Sequence, residues 1–176
     1  MYTVHPIESV RTRDVTIGAT ELRFLALWAR VLVLLRRRLR PAQLDESCEG
    51  TEHPERVGVV LKNIAIGSAL IHERSVVNDY DLAQIGHIAL SSGAPGCGKV
   101  LRVVLDNGGT ATTPDVERLT GMSPPTAHTY MEQLHALGLA GFRKGAPATV
   151  RLSKDFKALL GAPNLKPKGV GEREAA

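Results

Sequence analysis

Apolar residues recur at helical spacing in the first part of the chain and predict a long opening helix over Glu21–Leu39. Thr20 is suited to cap its start, and Pro41 stops it. Its apolar run, Leu22–Leu35, is interrupted by two arginines and is shorter than the ~20 residues that a membrane span needs. We therefore predict a helix buried along one side with arginines on the other. A basic helix lying on a membrane surface is the minor alternative, because Arg36–Arg38 follow directly.

Two further helices are predicted between the opening helix and a glycine-rich segment. The second begins at Pro54, whose ring suits a first turn, and the third begins after Asn78, a good cap, and is ended by Ser91–Gly98. The residues predicted to face inward are Val57, Leu61, Ile64, Ser68 and Ile71, widened by Val60 and Ala65, and then Leu82, Ile85, Ile88 and Ala89. Residues 1–19 have no clear period and are predicted to be loose, and the acidic residues 41–53 are predicted to be a linker. The helical region thus covers residues 20–98.

Residues 99–160 follow a more specific order of helices and strands. The elements are a helix over Lys99–Asn107 closed by Gly108 and Gly109, a helix capped by Thr113, a tight turn at Gly121–Ser123, a helix capped by Ser123 and begun by a proline, strands over Leu139–Arg143 and Ala148–Ser153, and a closing helix over Lys154–Leu160. The inward residues are Val100, Val103 and Val104, then Val116 and Leu119, then Ala127, Met131, Leu134 and Leu137, and finally Phe156 and Leu159.

This order of elements, and above all the stretch TTPDVERLTGMSPPTAHTYMEQLHALGLAGFRKG, resembles the winged helix-turn-helix domain of many bacterial and archaeal regulators. The shared features are the small turn, the Ser-Pro start of the recognition helix and the LxxLGL pattern at Leu134–Leu139 that leads into the wing. The resemblance covers about 60 residues, a third of the chain. It implies a mainly α fold with a small antiparallel β-hairpin, and a protein that binds double-stranded DNA and regulates transcription.

A recognition helix places its first turns in the major groove. The residues expected to contact DNA are therefore Ser123, Pro124, Pro125, Thr126, His128, Thr129 and Gln133 on the helix, with Arg143 and Lys144 on the wing. Members of the family commonly carry Arg or Lys where this chain has His128 and Thr129. We therefore expect weak sequence specificity, attraction dominated by phosphates and a marked dependence on salt. A winged helix that contacts protein instead of DNA is the alternative.

A weaker resemblance lies upstream, in the stretch SVVNDYDLAQIGHIALSS. It is similar to the lid helices that precede a terminal winged helix in AAA-type ATPases, including minichromosome-maintenance-like ones. It implies a second function, that of an accessory or targeting module of a replication or mobile-element ATPase, and the chain would then be a stand-alone relative or the remnant of a longer protein.

The distribution of charge favours a polyanionic partner. The net charge is +4. Residues 11–40 contain eight basic and two acidic residues, and residues 141–168 contain seven basic residues and one acidic residue. Between these two positive segments, residues 45–55 contain five acidic residues and no Lys or Arg. Residues 161–176 are predicted to be a flexible basic tail. The broad apolar side of the opening helix makes a homodimer one interpretation, and packing within its own chain is equally favoured.

Enzymatic chemistry is not expected. Gly93–Lys99 has the glycines and lysine of a phosphate-binding loop, but Val100 stands where a hydroxyl should bind magnesium, and a predicted helix precedes the segment where a strand is required. We therefore expect no nucleotide and no other cofactor. Cys48 and Cys97 form no disulfide framework, which suits a reducing cytoplasm, and Cys48 with His53 is too small a set for structural zinc. We predict neither a catalytic nor a metal site.

Overall fold

The computed structural model describes residues 15–37, 52–154 and Phe156. Within these residues the chain is mainly α-helical with a small antiparallel sheet, which confirms the predicted fold class. The elements are α1 (Ala19–Arg36), α2 (Pro54–Ile71), α3 (Asp79–Ser92), α4 (Pro95–Asp106), β1 (Thr110–Thr112), α5 (Thr113–Thr120), α6 (Pro124–Ala136), β2 (Ala140–Arg143) and β3 (Thr149–Leu152).

Helix α1 is buried on most of its circumference, and not along one side as expected. Its buried residues are Phe24, Leu25, Leu27, Trp28, Ala29, Val31, Leu32, Val33 and Leu35. Helices α2 and α3 pack against it, so only a narrow strip that carries Arg23 and Arg30 faces solvent. The apolar surface that motivated a second copy at this helix is therefore covered within the chain itself. No helix in the described part of the chain has both the length and the apolar character to cross a membrane.

The start of α1 also differs from the prediction. Gly18 is its N-cap and makes no side-chain cap, whereas Thr20, the predicted cap, lies inside the helix. Residues 15–18, predicted to be loose, are held in place: the Thr16 amide donates to the Ser75 carbonyl at 2.9 Å, and the Val77 amide donates to the Thr16 carbonyl at 3.1 Å. A parallel bridge thus ties the segment before α1 to the connection between α2 and α3.

Helix α2 begins at Pro54 as predicted, and Val57, Leu61 and Ala65 are buried as predicted, but the inward face does not extend to Val60 and Ile71. The buried residues are Val57, Leu61, Ala65 and Ala69, which follow one another at a spacing of four. Val60 and Ile71, both predicted to face inward, are 56% and 81% exposed. The small Ala65 and Ala69 allow α2 to lie close to its neighbours, whereas Val60 and Ile71 are left on the outside.

Helix α3 begins after Asn78, as predicted, with a reciprocal capping box between Asn78 and Asp81. Asp81 is completely buried and receives two hydrogen bonds from the Arg74 guanidinium, at 2.6 and 2.8 Å. Burial raises the pKa of this carboxyl. The bonds from Arg74, the Asn78 amide and Ser68, together with the positive charge of Arg74, outweigh burial and hold that pKa below its ordinary value.

Helix α4 starts at Pro95, four residues before the predicted Lys99, and only two residues separate it from α3. The Ala94 amide in this short turn donates to the Leu35 carbonyl at 3.0 Å, which joins the turn to the end of α1. The predicted irregular segment, Ser91–Gly98, is therefore mostly helical. It was misassigned because its prolines and glycines usually mark loops.

The sheet has three strands and not the predicted two. Strand β1, which was not predicted, pairs with β3, and β3 pairs with β2, so the antiparallel order is β1-β3-β2. Three residues of sequence Thr-Ala-Thr are too short for an alternating pattern to be recognised. Gly108 and Gly109 make the turn before β1 with positive φ angles of 69° and 93°, as their predicted role in closing the helix requires.

Helices α5 and α6 lie where they were predicted, with two corrections. The N-cap of α5 is Thr112, which forms a capping box with Asp115, and the predicted cap Thr113 is the first helical residue. Leu119, predicted to face inward, is 51% exposed. The inward residues of α6 are confirmed, because Ala127, Met131 and Leu134 are all completely buried.

One continuous core joins the two halves of the protein. Phe156, which is helical as predicted, packs edge to face on Trp28 of α1 with ring centroids 6.4 Å apart. The predicted closing helix can be followed no further, since Leu159 lies outside the described residues, as do 1–14, most of the predicted linker 41–53, and the predicted tail 161–176.

The buried Asp81 carboxylate gives the first testable expectation. Asp81→Asn should lower the free energy of unfolding by about 2 kcal/mol at neutral pH, because charge-assisted hydrogen bonds contribute more than neutral ones. Since the folded-state pKa lies below the ordinary 3.8, the stabilisation is complete well above pH 3.8 and is lost as the pH falls through the folded-state value. Urea unfolding of the wild type and of Asp81→Asn across this pH range measures the difference in their free energies of unfolding. Asp79→Asn, at an exposed carboxylate of the same helix, is the matched control. If the difference in stability between the wild type and Asp81→Asn were as large at acid pH as at neutral pH, the lowered pKa of Asp81 would be contradicted.

Candidate functional site

The outward side of α6 presents four of the seven residues that were predicted to contact DNA from this helix. Pro124, Pro125, Thr126 and Thr129 are exposed and point away from the buried core residues of the helix. The Thr129 hydroxyl donates to the Pro125 carbonyl at 2.9 Å, which leaves its oxygen lone pairs and its methyl group facing solvent. The result is a smooth, uncharged first turn with small polar groups.

Ser123 is the N-cap of α6, as predicted, but its side chain caps no amide. Its hydroxyl instead lies 2.8 Å from the Thr126 hydroxyl. Because Pro124 and Pro125 have no amide hydrogen, Thr126 is the first residue of the helix that can donate a backbone hydrogen bond to a ligand. This helix start therefore offers an anion fewer donors than an ordinary one.

Two of the predicted contact residues lie on the flanks of α6. The Gln133 side chain turns towards α4, where its Oε1 accepts a hydrogen bond from the Cys97 thiol at 3.2 Å. The His128 ring turns towards the hairpin and packs edge to face on Phe142, with centroids 5.0 Å apart. His128 thus fixes the hairpin to the helix, and Gln133 fixes the helix to α4.

The β2–β3 hairpin carries exposed positive charge. Arg143 on β2 and Arg151 on β3 are both exposed on the outer side of the sheet, and neither has a carboxylate partner among the described residues. Arg151 was not among the predicted site residues. It could have been recognised from the alternation of Thr149, Arg151 and Ser153 with buried Val150 and Leu152.

Glu132 was also missed, and it changes the electrostatics of the site. Its carboxylate lies on the outward side of α6, 3.4 Å from the Lys144 ammonium and 3.7 Å from Nδ1 of His128. Its position four residues after His128 on a predicted helix was the available signal. Lys144, predicted to contact DNA from the wing, is therefore partly neutralised, although its side chain is 79% exposed.

The glycines of Gly93–Lys99 serve packing. Gly98 lies inside the first turn of α4, and its amide donates to the Ala94 carbonyl at 2.9 Å. A Cβ atom on Gly98 would collide with the Leu90 carbonyl of α3, and one on Gly96 would collide with the Tyr130 ring of α6. The motif therefore brings α4 into close contact with two other helices.

Other candidate chemistry is sparse in the described ranges. No group of three His, Cys, Asp or Glu side chains in residues 15–37 and 52–154 could hold a metal ion. The buried Cys97 thiol has its pKa raised to about 11 by desolvation, which makes it a poor nucleophile at neutral pH. Cys48 lies outside the described residues. An open cavity of about 460 Å³ lies between the end of α1 and the start of α4, where Arg36, Arg37 and Gln133 line it.

Comparison with known proteins adds no relative: neither a family model, nor a curated protein, nor a solved structure matches this chain.

The close approach at Gly98 gives a second expectation. Gly98→Ala should lower the free energy of unfolding by about 1–3 kcal/mol, because the new methyl group meets the rigid Leu90 carbonyl. The control is Gly58→Ala in α2, where a Cβ would meet only Ala29 at 3.8 Å. That change should raise stability by up to about 1 kcal/mol through helix propensity. Chemical unfolding of both variants measures the contrast, and equal effects of the two changes would refute the packing role.

Proposed function

We propose that residues 95–154 form a winged helix-turn-helix that binds double-stranded DNA, with α6 in the major groove and the β2–β3 hairpin on the flanking backbone. The observation that carries this proposal is the exposed side of α6, at Pro125 and Thr129, beside a hairpin that projects Arg143 and Arg151. A duplex needs a protruding helix and nearby cations, and this surface supplies both.

The order of the elements supports the same proposal. Helix α4, strand β1, helices α5 and α6 and the hairpin follow one another, and β1 closes the sheet against β3. A short turn with Gly121 in the left-handed conformation separates α5 from α6. Apart from β1, the order of the helices, the turn and the hairpin is the one that the resemblance to winged helix-turn-helix domains implies.

The chemistry of α6 favours weak reading of base sequence. The helix has no Lys or Arg, so the commonest specific contact, a basic side chain to guanine, is missing. Thr126 and Thr129 can contact a thymine methyl group or a phosphate. Affinity then comes mainly from the hairpin and the phosphates, and it should fall steeply with salt. Transcriptional regulation in the cytoplasm is the biological role that we attach to this activity.

A second candidate function is contact with another protein, as in an accessory module of an ATPase. The exposed Leu119 on α5, near the turn to α6, favours it, because a duplex offers little to a large apolar side chain. The Glu132 carboxylate on α6 favours it too, since it would approach the phosphates. The two functions differ in what a change of charge on the hairpin should do: it should alter binding to a duplex only if the hairpin contacts DNA.

Removing the hairpin arginines tests DNA binding. Arg143→Ala with Arg151→Ala should weaken binding to a mixed-sequence duplex about tenfold and reduce the slope of log K against log salt by about 2, because each arginine neutralises one phosphate. Fluorescence anisotropy across a salt series measures both. Arg23→Ala with Lys62→Ala, exposed charges on α1 and α2, removes the same net charge elsewhere. If both double variants behaved alike, or if no duplex bound, the proposed interface would be wrong.

Changing Glu132 should act in the opposite direction. Glu132→Gln frees Lys144 and removes a negative charge from α6, so affinity for the duplex should rise severalfold at low salt. The matched control is Glu117→Gln on α5, a half-exposed carboxylate outside this ion-pair network. Unchanged or weaker binding in Glu132→Gln would mean that α6 does not face the phosphates, and would favour the protein-contact function.

A further inference from the structure

The proposed function leaves a cavity of the protein without a role. It lies between the end of α1 and the start of α4, and we call it the α1–α4 cavity. Its volume of about 460 Å³ is within the range of about 300–1,000 Å³ that small-molecule sites usually have. The end of α6 completes the wall, so three elements that are distant in the sequence meet around this cavity.

Positive charge at the cavity comes from the end of α1. Arg36 donates through Nε to the Ser92 carbonyl at 3.3 Å and through Nη1 to the Glu52 carboxylate at 2.6 Å. The Nη2 donors of Arg36 have no acceptor among the described residues, and the exposed Arg37 has no carboxylate partner there. No acidic side chain is among the residues described along the wall. The wall therefore favours a negatively charged group, because guanidinium groups bind carboxylates and phosphates with paired hydrogen bonds.

Gln133 of α6 adds a neutral donor to the same wall. Its Oε1 accepts a hydrogen bond from the Cys97 thiol at 3.2 Å. Burial raises the pKa of this thiol to about 11, so the thiol keeps its proton at neutral pH. The amide oxygen is therefore occupied, and the two donors of Nε2 have no acceptor in the described part of the chain. The available end of this side chain donates, as the two arginines do.

The remaining part of the wall is mostly apolar. Leu35 and Leu137 are buried, and Ala94 and Pro95 contribute further apolar surface. A hydrocarbon group that leaves water for this surface gains binding free energy that a bare inorganic ion does not gain. The wall thus combines a cationic part with an apolar part, which fits a ligand that has both characters.

We propose that the α1–α4 cavity binds a small organic anion. Its carboxylate or phosphate contacts Arg36, Arg37 and Gln133, and its apolar body lies on Leu35 and Leu137. This inference goes beyond the proposed function and does not depend on it, because the residues that carry the proposed DNA interface are not part of the wall.

Titration of the isotope-labelled full chain with naphthoate, followed by the amide signals in NMR spectra, tests the proposal. Naphthoate should bind with a Kd of about 0.1–1 mM and shift the signals of Ala94, Cys97 and the Gln133 side chain. Neutral naphthamide and the small anion acetate should each bind at least about tenfold more weakly, since each lacks one of the two characters. Naphthyl phosphate identifies the preferred head group by binding more tightly or more weakly than naphthoate.

Three results of this titration would overturn the proposal. They are no binding of either naphthyl anion, equal affinity for naphthamide or acetate, and signal shifts that lie elsewhere in the chain. Because no DNA is present, the outcome is independent of any duplex-binding result.

Variants of the arginines locate the bound charge. Arg37→Gln should weaken naphthoate binding about tenfold, because it removes a cation that no other described residue neutralises. Arg23→Gln, at an exposed cation of α1 outside the wall, is the matched control and should bind like the wild type. Thermal unfolding checks that both variants fold. Equal affinities of the two variants would show that the ligand does not lie in this cavity.

Two carboxyl–amide exchanges complete the experiment. Gln133→Glu keeps the shape of the side chain and still accepts the thiol hydrogen bond, but its negative charge should weaken naphthoate binding at least about tenfold. Glu52→Gln should strengthen binding severalfold, because it releases Arg36 from its ion pair. Glu55→Gln, at an exposed carboxylate of α2, is the control for both. If either exchange left the affinity at that of the control, the proposed contacts would be wrong.

Discussion

Helix α4 can lie at the centre of the protein only because two of its first four residues are glycines. Gly98 lets its backbone approach the Leu90 carbonyl of α3, and Gly96 leaves room for the Tyr130 ring of α6. The sequence suggested a loop here, because these packing partners are identified only by the folded structure. Since α4 touches both α3 and α6, its position determines how the exposed side of α6 is presented relative to the amino-terminal helices.

Sequence patterns predicted the elements well where a local interaction dominates, and they failed where the partners are distant in the chain. Asn78 with Asp81 marked the start of α3 from residues only three positions apart. Strand β1, in contrast, exists because β3, nearly forty residues later, pairs with it. The pairing of Glu132 with Lys144 could not be predicted for the same reason, since Lys144 comes near Glu132 only when the hairpin folds back on α6. Local signals thus sufficed for the fold class and the exposed helix, but not for the charge balance of the candidate site.

Burial of the two long amino-terminal helices depends on residue size as well as on hydrophobicity. Helix α1 uses large side chains such as Trp28 on most sides and is enclosed, whereas α2 turns Ala65 and Ala69 inward and leaves Ile71 outside. The number of apolar residues alone predicts the same extent of burial for both helices. The small residues reveal which side of α2 is packed closely, because a close helix approach requires them.

The electrostatics of α6 imply that the hairpin must be rigidly placed for the proposed interface to function. The helix itself offers no cation, and two prolines remove amide donors from its first turn. In the proposed interface, attraction to a duplex must therefore come from the hairpin cations Arg143, Lys144 and Arg151. The distance of the hairpin from the helix then decides whether these cations and α6 can be engaged together. The contact of the His128 ring with Phe142 and the hydrogen bond from the Thr113 amide to the Ala148 carbonyl, 3.0 Å long, hold the hairpin in that place. In the proposed interface, α6 supplies shape, and the strands attached to it supply charge.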